Sequence, residues 1–435
     1  MTDPLAFIHA LTWEDLPPQV QRQTRLCLLD LLGVAAGGLG TRLSGIVHDH
    51  AAEDWPGDTP MLFDARSASL PGAALAAAMT IDSLDGHDGY NPAKGHIGCP
   101  LIPPLLLIGH ARGISGKAFL TALAMGYEFG ARAATAQHAT CPDYHTSGSW
   151  GAVTAAAGAA RLMGLSPDQT RHALGIAEYH GPRSQMMRCI DHPTMVKDGS
   201  GWGAMAGVSA AQLAARGFTG APAITVEAAP EFWADLGHDW RIAEQYFKPW
   251  PVCRWAQGPV EAVLALRARH QLRPEDVTAL RIDTFHEATR LASARPDTTE
   301  EAQYSTSFPC AVALARGDIT PADIDGAALH DPEILRLSAA TSMFEDAEAN
   351  ALFPGKRLAR VTLTLTDGRE VTSDWTEPRW SADTPPRPQD LHAKYRALAT
   401  PVLGEPRSAA IFDAVETLAD TPLRALTGHL LGVSV

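Results

Sequence analysis

Between an Ala-rich run (73–80) and an apolar one (100–108), residues 81–99 read IDSLDGHDGYNPAKGHIGC. The stretch holds three carboxylates (Asp82, Asp85, Asp88), two histidines (His87, His96) and Lys94, spaced by glycines. Histidine titrates near neutrality, so acid–base chemistry is what this set can do. A polar loop between two segments that want burial is a rigid place to do it. Four further segments carry reactive types. Tyr144-His145 precedes Thr146, Ser147, Ser149 and a small-residue helix, whose positive end lowers a histidine pKa and favours an anion. Lys197 lies in HPTMVKDGSGWG, again before a small-residue helix. Lys248 lies in YFKPWPVCRW, where Pro249 and Pro251 hold the chain extended. The fourth segment, QYSTSFPC (303–310), leads into another helix. Taken singly each is weak, because a lone lysine is normally a solvated surface group and a lone histidine a hydrogen-bonded structural one.

Composition narrows the field. A chain of 435 residues exceeds one ordinary core, so two domains are expected. A formal charge of −14 argues against nucleic acid or an anionic membrane as partner. The six cysteines are scattered, with no C-x-x-C pair, and read as reduced thiols of a soluble cytoplasmic protein. No apolar run reaches the length of a membrane span, and the first twenty residues are not built like a signal peptide. No cysteine, histidine or carboxylate set has metal-ligand spacing, and G-x-G-x-x-G, Walker and G-x-S-x-G patterns are missing. Neither a metal nor a nucleotide cofactor is expected.

The elements that must position these residues are mostly helices. Apolar periodicity predicts helices over 20–36 and 116–134. A third, 147–163, is Ala/Gly-rich on all sides and so is expected at the centre of the core. Ser166-Pro167-Asp168-Gln169 is a capping box opening a fourth, and 201–216 predicts a fifth. Beyond residue 243 the pattern alternates instead. Strands are expected over 277–285 and over 359–366 and 370–375, the latter two joined at Asp367-Gly368 as a hairpin. The prediction is a large helical domain (1–243, completed by 389–435) and a smaller α+β domain (244–388) as a lid, mainly α overall, with the site between them.

The five segments, in this order, resemble the MmgE/PrpD family over nearly the whole chain. The family's Asp-rich turn and following Gly-His step fall on Asp82-Ser83-Leu84-Asp85-Gly86 and Gly95-His96-Ile97-Gly98. Its histidine before a small-residue helix falls on His145, and its two lysine steps on Lys197 and Lys248. The resemblance implies a cofactor-independent homodimer acting on a small carboxylate between a helical domain and an α+β lid. It makes Asp82, His96, His145, Lys197 and Lys248 the catalytic candidates. Asp85, Tyr144, Ser200, Cys253, Arg254 and Phe308 become candidates for substrate contact. The chain departs from the pattern where family histidines fall on Cys253 and Ser200, a tyrosine on Phe308 and a threonine on Gly86.

Reactions of this family share the need to form a carbanion beside a carboxylate. Fixed positive charge, here Lys197 and Lys248, would stabilise the enediolate. His96 and His145 would move protons, and Asp82 would orient a histidine or act as base. Dehydration of a 2-methylcitrate-like substrate with a less polar arm is the favoured expectation. Epimerisation of an aminodicarboxylate, decarboxylation, and a non-catalytic ligand-binding relative are the alternatives.

Overall fold

The computed structural model describes residues 3–141 and 143–434. Helices dominate, and one four-stranded sheet lies in the C-terminal part. The mainly α architecture with an α+β second domain is as expected. Helix Gly148–Met163 lies at the centre of the helical part, packed by Gly98–Arg112, Gly116–Thr140, Pro167–His180 and Ser200–Ala215. Small residues let these helices approach closely. A Cβ on Gly207 would stand 2.4 Å from the Ala152 carbonyl, so only glycine fits that crossing. The Ser166 capping box forms as its sequence predicts.

The predicted strand at 277–285 spans Val277–Thr284, and the hairpin is Ala359–Leu365 with Glu370–Thr372. A fourth strand, Thr341–Glu345, pairs parallel with Val277–Thr284 and gives the sheet a mixed topology. It sits at the edge and is largely exposed, so its residues lack the alternation that marks the others. The sheet packs on helices Arg254–His270 and Ser307–Arg316 around its own apolar core. Helix Pro388–Leu403 then returns to the helical part and packs along Pro18–Gly38, with Leu391, Tyr395 and Leu398 in the first core.

A third, smaller apolar cluster joins the two parts. Met186, Cys189 and Ile190 of the first meet Cys253, Trp255, Phe285 and Tyr304 of the second. Among the described residues no single helix is long and apolar enough to cross a membrane.

Candidate active site

Helix Leu70–Asp82 ends beneath the 83–97 loop, and Asp82, Asp85, His87 and Asp88 are each at most 2% exposed. Backbone pairing fixes this loop against the second lysine segment. Gly89 donates to the Tyr246 carbonyl (3.0 Å) and accepts from the Tyr246 amide (2.8 Å). A Cβ on Gly89 would fall 2.4 Å from the Tyr246 ring, so the pairing demands glycine. Two residues on, the Lys248 ammonium donates to the Asp85 carbonyl and to Asp85 Oδ1, both at 2.7 Å. Burial alone would raise the Asp85 carboxyl, but Lys248, then Lys197 and His96, outweigh it and hold the group below its usual range.

His96 joins this pair. Its Nδ1–H donates to the Asp88 carbonyl, which leaves the Nε2 lone pair 3.9 Å from Asp85 Oδ1. Burial and the Lys248 charge push His96 down to about 3, so it is neutral at pH 7. The His87 ring stacks on it at 4.1 Å. The His96 amide donates to Ser147 Oγ (2.8 Å), and Ser147 in turn bonds the Asp198 carboxyl through its hydroxyl and its amide. Burial and the neighbouring Asp82 raise the Asp198 carboxyl above its usual range. Burial raises Asp82 too, against the pull of Lys197. Asp85, Lys94 and Lys197 all adopt left-handed backbone, a strain that concentrates where side chains must be aimed.

These groups meet in a narrow cleft of about 30 Å³ between the two parts. Six of the sequence candidates line it: Asp85, His96, Tyr144, Lys248, Cys253 and Arg254. The Tyr144 hydroxyl donates to the Lys94 carbonyl at 2.7 Å. Burial pushes the Cys253 thiol up to about 12, so it is a neutral wall group. Arg254 lies 4.2 Å over the Tyr246 ring, and its donors go to the carbonyls of Phe247, Pro378 and Arg379 and to Ser381. Its role is largely to tie the cleft wall together.

Three candidates lie behind the wall. The Lys197 ammonium donates to Gln303 and sits 4.7 Å over the Tyr304 ring, which faces the cleft. Asp82 and Ser200 are wholly buried, with no hydrogen-bond partner for their side-chain oxygens among the described residues. The structure does not bring two others to the cleft. The charges that act on His145 are Arg183 and Asp143, and His145 pairs through its backbone with Gln185. Phe308 is wholly buried in the core of the second part, because helix Ser307–Arg316 packs that face inward. Tyr304, four residues earlier, lines the cleft.

Asp198, Tyr246, Tyr304 and Arg357 also line the cleft and were not singled out from sequence. Asp198 adjoins Lys197, Tyr246 opens YFKPWPVCRW and Tyr304 lies inside QYSTSFPC, so these three had a signal; Arg357 had none. Asp85, His87 and His96 place ligand atoms within 4.8 Å of one another, a grouping the spacing did not reveal. The geometry is poor for a cation: the two rings stack at 28°, and Lys248 already occupies the Asp85 oxygen.

Residues 5–239 match the MmgE/PrpD N-terminal domain and residues 250–420 the MmgE/PrpD C-terminal domain. A cis-aconitate decarboxylase-like protein of Aspergillus oryzae is 24% identical, covering 98% of this chain and 96% of its own. Cis-aconitate decarboxylases of Aspergillus terreus and Mus musculus are each 25% identical. They cover 94% and 98% of this chain and 91% and 92% of their own lengths.

Proposed function

The chain belongs to the MmgE/PrpD family, and from that premise we propose that it is a lyase for a small polycarboxylate, acting through its own side chains. The observation that carries this reading is the charge of the cleft. Lys94, Lys248, Arg254 and Arg357 line it against two carboxyls among the described residues, Asp85, which is ion-paired, and Asp198, which burial and Asp82 raise. A site so built attracts an anion and stabilises the further negative charge of a carbanion beside a carboxylate.

Loss of CO2 is the first reaction we propose. The carbon–carbon bond to one carboxylate breaks, CO2 leaves, and the electron pair passes into a neighbouring conjugated carboxylate facing Lys248. A proton must then reach carbon, and Asp198 is a wall group whose carboxyl is raised above its usual range. The decarboxylase relatives, which run the length of the chain, support the same choice over the dehydration favoured from sequence. Dehydration stays as the second reading because His96 lines the cleft with its Nδ1–H bonded and its Nε2 lone pair without a donor.

The test is incubation of the full-length protein in D2O with cis-aconitate, with citrate and 2-methylcitrate, and with aminodicarboxylates, followed by NMR and CO2 detection. Release of CO2 with one deuterium entering the product supports the first reading, and loss of hydroxyl from a citrate supports the second. Neither turnover nor deuterium exchange with any polycarboxylate would sink the proposal.

A further inference from the structure

The cations of the cleft are not equivalent. Lys248 is paired with Asp85, and Arg254 is committed to carbonyls around its own wall. Arg357 is only 5% exposed, yet among the described residues no carboxylate pairs with it. It precedes strand Ala359–Leu365, and its Nη1 donates to Asn91 Oδ1 (2.5 Å) and the Pro354 carbonyl (3.2 Å). Asn91 belongs to the 83–97 loop, so this bond spans the two parts of the molecule and fixes the guanidinium from both. Nε is buried with no hydrogen-bond partner, and Nη2 has none among the described residues.

A buried guanidinium held along one edge and empty along the other is costly unless something completes it. The free edge has two parallel N–H donors, whose spacing fits the two oxygens of one carboxylate. A lysine could not offer that fork, and water would satisfy the donors without neutralising the charge.

We propose that the Nε/Nη2 edge of Arg357 receives a second carboxylate of the substrate, distinct from the one facing Lys248, and so selects di- and tricarboxylates over monocarboxylates. This rests on the reading of the cleft as a carboxylate site. Arg357 thereby acts in specificity rather than in bond cleavage, and its loss falls mainly on KM.

The probe is tricarballylate, a saturated tricarboxylate with no double bond or hydroxyl to react, titrated calorimetrically into the full-length wild type, Arg357→Gln and Arg357→Lys. Propionate serves as the monocarboxylate control, and thermal melting confirms that each variant folds. A charge-assisted bidentate contact predicts about 10- to 100-fold weaker tricarballylate binding in Arg357→Gln. Partial recovery in Arg357→Lys and an unchanged propionate affinity complete the expected result. Tricarballylate binding within about threefold of wild type in Arg357→Gln, or equal weakening for both ligands, would overturn the assignment of Arg357 while leaving the lyase reading standing. A wild type that binds no polycarboxylate overturns both.

Discussion

Two cavities share one wall, and they differ in the way that matters for chemistry. Residues 186–199 form the partition: Met186, Ile190 and Asp198 face the narrow cleft, while Arg188 and His192 face a neighbouring cavity of about 440 Å³. The larger space is edged by half-exposed Trp202 and by Val196, and among the described residues no carboxyl lines it. The smaller one gathers buried groups of opposite charge with displaced proton affinities. Size marks where a ligand could enter; the convergence of desolvated acids, bases and cations marks where bonds could change. Lys197, beside Asp198 in the chain, borders the larger cavity but sends its ammonium to Gln303 and the Tyr304 ring at the small cleft, from a left-handed backbone position.

The sharpest break of this comparison is Lys248→Met. It removes the positive charge facing the carbanion and leaves Asp85 buried without its partner, so kcat should fall about 10³-fold. Thermal stability should also fall, by roughly 3–5 kcal/mol in a denaturant titration. Activity within tenfold of wild type would place the chemistry elsewhere.

A smaller effect follows from the buried acids. Burial and Asp82 raise Asp198 above its unfolded value, and burial with the nearby Asp30 raises Asp88 likewise, to about 7. Such groups contribute stability that is full below about pH 4 and is lost as pH rises through their raised values. His96, held low, works in the opposite sense, contributing stability above about pH 6.5 that is lost on acidification. Between pH 7 and 8.5 these carboxyls, together with buried thiols such as Cys27, Cys99 and Cys253 that ionise only in the unfolded chain, make the melting temperature decline. Asp198→Asn, which keeps the side-chain shape, should flatten the decline; an unchanged slope would show that Asp198 is ionised in the folded protein.

The smallest effect is expected across the partition. Arg188→Ala lies in the larger cavity and should change kcat/KM by no more than about threefold. A loss of about 100-fold would move the active site to that side.

Much of this arrangement is legible in the sequence, and the gaps have physical causes. The Asp85–Lys248–His96 group could be anticipated because its residues sit in unusual local settings: an Asp-rich glycine loop, and a lysine before two prolines. Lys197 shares a helix entry with Asp198, but a lone carboxylate gives no sign that burial will shift its titration. Tyr304 caps helix Thr299–Gln303 while Phe308 belongs to the next helix, Ser307–Arg316, and the sequence alone shows neither that break nor which side of the second helix meets the core. Arg357 follows a turn and precedes a strand, with no flanking pattern, and acquires its importance only when the 83–97 loop folds against it. His145 keeps its local motif but is not among the residues lining the cleft, and the sequence alone does not show which way its ring turns.

The most direct test of the central claim, that the small cleft does the chemistry with Asp198 as proton source, is turnover in D2O followed by NMR for wild type and Asp198→Asn. The carboxylate used is whichever the wild type converts, and melting temperatures are matched at pH 6. The account predicts CO2 release with one deuterium entering the product in wild type. In the variant it predicts a rate at least about 100-fold lower, the usual size of a lost general acid. Wild-type turnover in Asp198→Asn would contradict it.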